Sequence, residues 1–292
     1  MNLNRGGYAV SIIVWEVPII FASAKRKSTA RYVLLGIWVA WLCCCPELPA
    51  QQNPGAHFYF AQITDTHFGS GDHLTRTRKI IEQINALPMQ IACVVHTGDI
   101  MADRIDDAGL VNDTLALMGR IKVPLHYVPG NHDILMDRLP ATVPLYRAAF
   151  GDLIASVQYH GVVFLFLYTE PLRKSFAVDG YRPLVQLRKQ LAQAGGKPVI
   201  LFHHAPSVKN FYNNKVYRGW RSEIKAQWIE LLNAHNVKAV ITGHYHRDEF
   251  HWLGRVPLFV APPVAGYWGR QASYRVYEYD NGKVSYSTQY IE

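Results

Sequence analysis

Aspartates, histidines and one asparagine recur directly after apolar runs in this sequence. Asp65-Thr66-His67 follows His57 to Ile63, and Gly98-Asp99 follows Ile91 to Val95. Gly130-Asn131-His132-Asp133 follows Val123 to Val128, His203-His204 follows Pro198 to Phe202, and Gly243-His244-Tyr245-His246 follows Val237 to Thr242. Carboxylate, imidazole and amide oxygen together suit borderline divalent or trivalent ions such as iron, manganese or zinc. Residues i and i+2 of an extended segment face the same way. Asp65 and His67 can therefore hold one ion together, and so can His244 and His246. Two ions about 4 Å apart repel strongly unless a carboxylate is shared between them, and Asp99 is the candidate for sharing. In the third motif Gly130 permits a tight turn and Asn131 offers a neutral oxygen. His132 can carry a proton and Asp133 can orient it. Each piece alone is common in unrelated proteins; their joint placement on successive strand exits is what carries information.

The elements that must position these groups read as alternating strands and helices. Apolar residues at helical spacing predict helices over Leu74 to Leu87, Asp106 to Arg120, Pro183 to Ala194 and Ser222 to His235, with a short one over Pro144 to Phe150. The apolar runs before the motifs read as buried strands. Ala155 to Tyr159 and Val162 to Tyr168 pair around His160-Gly161. Val256 to Ala261 is a further strand, and Tyr274 to Asp280 and Lys283 to Tyr290 form a hairpin across Asn281-Gly282, a strong turn signal. Strand–helix alternation followed by more strands predicts an α/β layered sandwich. Ligands in open α/β sheets gather at the carboxyl ends of strands, where all these motifs fall.

The chain has 292 residues, 49% of them apolar and 18% charged, as in a globular protein. Its formal charge of +8 favours anionic partners such as phosphates. No internal repeat or low-complexity tract is visible. Residues 1–50 differ from the rest. Lys25, Arg26, Lys27 and Arg31 precede an apolar run from Tyr32 to Cys45, and Ala50 leads into the polar Gln51 to Gly55. This order describes a secretory signal peptide, and the run is shorter than the roughly 20 residues of a spanning helix. Tyr8 to Ala22 is a second apolar stretch, so an uncleaved membrane anchor is the alternative. The expected product is exported, periplasmic or extracellular, with one domain over 55–292 and any membrane contact confined to the N-terminal segment. After cleavage Cys93 is the single remaining cysteine and reads as a small buried apolar residue.

The order Asp65-Thr66-His67, Gly98-Asp99, Gly130-Asn131-His132-Asp133, His203, Gly243-His244-Tyr245-His246 resembles the calcineurin-like metallophosphoesterases. The resemblance implies a four-layer α/β/β/α sandwich of two mixed sheets and a two-metal site. It implies Asp65, His67 and His246 on one ion, Asn131, His203 and His244 on the other, and Asp99 between them; His204 is the alternative to His203. It also implies that His132 meets phosphate and protonates the leaving oxygen, with Asp133 orienting it. Ala102 stands where the purple acid phosphatase branch has its tyrosine ligand, and His67 is a residue that branch lacks. The chain looks closer to the bacterial cyclic-nucleotide and glycerophosphodiester phosphodiesterases, acting on a small phosphoester. Tyr212, Arg218 and Arg221, in the aromatic and basic loop after His203-His204, are expected substrate contacts, and Trp268 and Arg270, after the Pro262-Pro263 turn, are further candidates. A metal-free protein-binding scaffold on the same fold predicts missing ligands, and none is missing. A nuclease is a further alternative, although no nucleic-acid module is visible. His96 reads as a core group supporting the loops and not as a ligand.

Overall fold

In a computed structural model, described here for residues 55–212, 215–217 and 219–291, the chain from Gln52 onward forms one compact unit. The side chains of 210–218 and the whole of 1–54 lie outside the described residues, and with them the signal-peptide and anchor readings and the expected contacts Tyr212 and Arg218.

The elements follow as β1 (His57–Ile63), α1 (His73–Asn85), β2 (Ile91–His96), α2 (Ala108–Met118), β3 (Leu125–Tyr127), α3 (Leu139–Phe150), β4 (Ile154–Tyr159) and β5 (Val162–Leu167). Next come α4 (Glu170–Lys174), α5 (Pro183–Gln193), β6 (Val199–Phe202), β7 (Asn210–Tyr212), β8 (Lys215–Tyr217) and α6 (Ser222–Asn233). The chain closes with β9 (Val237–Thr242), β10 (Glu249–Leu253), β11 (Val256–Val260), β12 (Ser273–Asp280) and β13 (Lys283–Tyr290). One sheet has the order β13-β12-β1-β2-β3 and the other β10-β11-β9-β6-β5-β4. Both are mixed. β1, β2 and β3 run parallel while β12 and β13 pair antiparallel, and β5, β6, β9 and β11 run parallel with β4 and β10 antiparallel at the edges. β7 and β8 form a separate antiparallel pair inside what the sequence suggested was a loop.

The period of two within each strand explains the layering. On β1, Phe58 and Phe60 join one core cluster while Ala61 and Ile63 join the other. β6 divides the same way, with Ile200 and Phe202 in the first cluster and Val199 and Leu201 in the second. The first cluster, aromatic-rich and drawn from both sheets, is the seam between them, where Phe60 stacks on Tyr277 at 4.9 Å. The second receives the buried stripes of the helices, including Ile80, Ile81 and Ile84 of α1 and Trp228, Leu231 and Leu232 of α6. This is the helix, sheet, sheet, helix sandwich that the resemblance implies, and a form of the α/β layering that strand–helix alternation predicts. Cys93 lies in the seam, fully buried.

Three differences from the sequence reading have physical causes. α3 begins at Leu139 and not at Pro144, since Pro140 occupies the first turn, where it is well tolerated, and Pro144 is accommodated inside the helix. β10 went unpredicted because Glu249-Phe250-His251-Trp252-Leu253 is a half-exposed edge strand with polar residues at alternate positions. α4 spans only Glu170–Lys174, too short for helical periodicity to register.

Candidate metal centre

The loops leaving β1, β2, β3, β6 and β9 meet at one edge of the sandwich, and backbone hydrogen bonds splice them beyond the sheets. Asp65 N–H donates to Gly98 O at 2.9 Å, His67 N–H to Asp99 O at 3.0 Å and Gly243 N–H to His204 O at 3.0 Å. Asp65, His67, Asp99, Asp103, His244 and His246 all have positive φ, between 47° and 70°. Such backbone is costly for residues other than glycine, although Asp, Asn and His tolerate it best. Strain of this kind persists where the surrounding structure over-determines it, and it concentrates at functional sites.

Glycines let the loops approach. A Cβ at Gly130 would collide with the Asp99 carboxylate, and one at Gly243 with Thr64 Oγ1 and the Asp65 carboxylate.

Three overlapping groups of donor atoms result, each with its atoms within 4.8 Å of one another: Asp65, His67 and His246; His67, Asp99 and His132; Asp99, His204 and His244. Asp99 belongs to the second and third and lies between the ends of the array. Asp65 and Asp99 are almost fully buried, and each takes a backbone donor on its carboxylate, Asp65 from His244 N at 3.0 Å and Asp99 from His132 N at 2.9 Å. Burial by itself would raise both carboxyls. Nearby imidazoles outweigh it, His246 first for Asp65 and His204 first for Asp99, and hold both well below the usual range.

His204 supplies that counter-charge. Its Nε2 lies 2.9 Å from Asp99 Oδ2 and 3.2 Å from His244 Nδ1, while its Nδ1 is 2.8 Å from Thr97 O. Burial would push it down, but the charge of Asp99 and the bond to it push it up to about 10. A proton on His204 thus balances the Asp99 carboxylate, a charge that a cation held by these two residues would also balance. His67 behaves oppositely: burial dominates the attraction of Asp99 and Asp65 and takes it down to about 4. His244 is likewise held well below its ordinary value, by burial and then by the charges of His204 and Arg173.

His203 requires a correction. The resemblance favoured it as a ligand, with His204 as the alternative, but its ring turns away from the array, packing 5.6 Å from Trp220 and 5.2 Å from Trp228, with Nδ1 3.3 Å from Thr169 Oγ1. β6 runs through Phe202, and side chains alternate across it. Phe202 faces the seam, His203 the helix side and His204 the site, so the second histidine of the pair enters the cluster. Burial keeps His203 neutral, down to about 3.

Asp133 also departs from expectation. Its carboxylate accepts from Gly130 N at 2.8 Å and Met101 N at 2.8 Å, fastening the loop after β3 to the loop after β2. Burial and then the charge of Asp99 push its carboxyl up to about 6 against those bonds. The group that holds His132 is Asp103, whose Oδ1 lies 2.8 Å from His132 Nδ1. Burial would lower His132, but Asp99 and this bond outweigh it and raise the ring above its ordinary value. Asp103 was missed because it belongs to no strand exit; its position four residues after Asp99 is the one available sequence signal. Asn131 is half-buried, and its Oδ1 has no hydrogen-bond partner among the described residues.

His96 is fully buried and neutral, down to about 3 through burial. Its Nδ1 accepts from Gly98 N at 3.2 Å, so Nε2 carries the hydrogen toward Thr66 Oγ1 at 2.9 Å, tying together the first two motif loops. Of the expected substrate contacts, Arg221 is exposed at the start of α6, and Trp220 from the same stretch is core. Tyr267 is the clearest omission. Its ring lies 5.9 Å from His246, stacked, and 5.0 Å from His67, edge-on. Arg173, on the unpredicted α4 and clasped by the buried Glu170, is a further cation near His244.

Residues 58–248 match the family model described as calcineurin-like phosphoesterase. The chain is 26% identical over 218 residues to the serine/threonine-protein phosphatase CPPED1 of Mus musculus, covering 65% of this chain and 70% of the mouse protein. It is 26% identical over 201 residues to a probable cyclic nucleotide phosphodiesterase of Colwellia psychrerythraea, covering 65% of this chain and 71% of that one. Among solved structures, a dimetal phosphatase from Danio rerio aligns with a TM-score of 0.59 and 15% identity over 80% of this chain and 99% of that one, a likeness of fold.

Proposed function

Because the chain belongs to the calcineurin-like phosphoesterase family, we propose that the edge described above is a two-metal centre that hydrolyses small phosphoesters. The observation that carries this is the placement of buried Asp99 in two of the three overlapping donor groups found among the described residues, with Asn131 Oδ1, which has no hydrogen-bond partner among them, on a neighbouring loop. Two buried carboxylates need compensating positive charge. The donor set of carboxylate, imidazole and amide oxygen fits iron, manganese or zinc.

Asp65, His67 and His246 would hold one ion, and Asn131, His204 and His244 the other, with Asp99 shared. A bound pair of ions supplies charge neutralisation and acidifies an attacking water. The remaining steps belong to the chain. His204 would have to be neutral at Nε2 to hold the second ion, so loading would strengthen as pH rises. Thr97 O and Asp99 fix the ring in place. His132, with Nδ1 held by Asp103, presents Nε2 and can protonate the leaving oxygen; its raised pKa keeps that proton available near neutrality. Asp133 keeps the loop carrying Asn131 and His132 seated against the loop after β2.

The test is turnover of bis(p-nitrophenyl) phosphate and p-nitrophenyl phosphate by purified protein loaded with manganese, zinc or iron. Hydrolysis is expected, and the ratio of the two rates assigns diesterase or monoesterase character. No turnover with any of these metals overturns the reading. The relatives named as phosphatase and as phosphodiesterase leave both chemistries in view. We further propose export, supported by the basic cluster before Tyr32 to Cys45 and the small residue Ala50. Mass spectrometry of the N-terminus recovered from the exported fraction tests it. A new terminus near residue 51 is expected; an intact Met1 in the cytosolic fraction contradicts it.

A further inference from the structure

Beside the metal centre the loop after β11 makes a sharp turn over Gly266 to Arg270 that is bound to the motif loops. Val264 N–H donates to Thr64 O and Ala265 N–H to Asp65 O, both at 3.0 Å. Gly266 N–H donates to His73 Nε2 at 3.3 Å, and that ring's Nδ1 is 3.0 Å from His67 O. Arg76 closes the turn through Arg270 O at 3.0 Å. The turn is thus positioned by the same backbone that positions Asp65 and His67.

What it presents is aromatic. Tyr267 packs on His246 and His67, and the Trp268 ring lies 5.1 Å from His246 and 5.8 Å from Tyr267. Trp268 is 71% exposed, the most exposed large apolar side chain among the described residues. It has φ of 54° and ψ of 31°, the left-handed region that bulky residues rarely enter. A lone exposed tryptophan needs no explanation. One held in strained backbone against a histidine of the donor array does.

We propose that Tyr267 and Trp268 form a stacking subsite for a flat heteroaromatic group of the substrate, as in a nucleoside phosphate, which deepens and rests on the phosphoesterase reading. A π face of this size stacks any nucleobase. A quaternary ammonium could also sit on tryptophan, but the surroundings disfavour a cation: Arg76 flanks the turn, and the adjacent carboxylate of Asp72 is already engaged by Arg76 at 3.1 Å. The hydrogen-bonded turn sets the Trp268 backbone, and contact with His246 and Tyr267 holds one edge of the ring before substrate arrives, which limits the side-chain freedom lost on binding.

The experiment is isothermal titration of the metal-loaded protein with adenosine 5′-monophosphate, ribose 5-phosphate and phosphocholine. Turnover of bis(p-nitrophenyl) phosphate is measured on the same preparations. Wild type is expected to bind the nucleotide about tenfold more tightly than ribose 5-phosphate. Trp268→Ala should close that gap while bound metal is unchanged, and Trp268→Phe should restore most of it. Equal affinity for nucleotide and sugar phosphate overturns the subsite, as does equal weakening of both by Trp268→Ala or a preference for phosphocholine. Nucleotide preference without turnover sustains the subsite and counts against hydrolysis, whereas turnover without nucleotide preference does the reverse.

Discussion

At the scale of single residues, neighbours in sequence have opposite fates. His203 and His204 are adjacent, yet one packs against a pair of tryptophans and the other joins Asp99. His204→Ala should lower bound metal and reduce kcat/KM at least about 100-fold. His203→Ala should leave metal content intact and cost roughly 2–3 kcal/mol through the cavity left beside Trp220 and Trp228, read by chemical denaturation. Equal metal loss in both variants would sink the distinction. The motif pattern could not make it, because both residues follow the same strand and the deciding fact is which face Phe202 occupies. His132 and Asp103 are the second such case. A charge-assisted bond favours the protonated ring, so Asp103→Asn should lower the pKa of His132. A general acid works while protonated, so the alkaline limb of the rate profile should then move to lower pH. NMR titration of the ring in the metal-free protein checks the shift itself, and an unmoved midpoint would refute the role given to Asp103. His132→Ala should keep its metal and lose about 10²–10⁴-fold in turnover.

At the scale of elements, the strands were legible and the loops only partly so. β1 and β9 span the same residues that alternation and apolar runs predict, and the β12–β13 hairpin differs by one residue at its start. Those runs are long, buried and bounded by turn residues. β10 and the β7–β8 pair escaped because their residues are polar at alternate positions or embedded in a basic, aromatic stretch. The loops were read for their side chains, whereas much of their work is done by backbone: splicing bonds, positive φ and glycines without room for a Cβ. Gly130 is the sharpest instance. Gly130→Ala must displace the Asp99 carboxylate or the loop carrying Asn131 and His132, so it should cost about 1–3 kcal/mol as overpacking and lower metal affinity as well. A variant with unchanged melting temperature and metal content would show that the loop yields freely.

At the scale of the whole molecule, the two sheets are joined by more than their aromatic seam. Arg275 of β12 is fully buried and donates to Val260 O of β11 at 2.7 Å, to Asp248 at 2.6 Å and to the Tyr277 hydroxyl at 3.2 Å. Its guanidinium also lies 3.9 Å over the Tyr286 ring. Tyr277 continues to Gln62, and Gln62 to Thr97, whose carbonyl holds His204. A polar chain therefore runs from Asp248 between the sheets to the floor of the metal centre. Arg275→Leu removes the side-chain donor to buried Val260 O and to the Tyr277 hydroxyl, while Asp248 keeps Tyr286 and Thr288 as donors, and it should cost about 3 kcal/mol, seen as a lower denaturation midpoint. No loss would mean that water or repacking replaces the guanidinium. None of this was legible beforehand, since an arginine in a strand reads as a solvent-facing residue until its register places it inside. Elemental analysis of wild type and Asp99→Asn decides whether two ions share Asp99 at this edge. Two equivalents of metal per chain are expected in wild type, with loss of both ions together with turnover in Asp99→Asn. Two equivalents retained in the variant, or none in a catalytically active wild type, would contradict a pair of ions sharing Asp99.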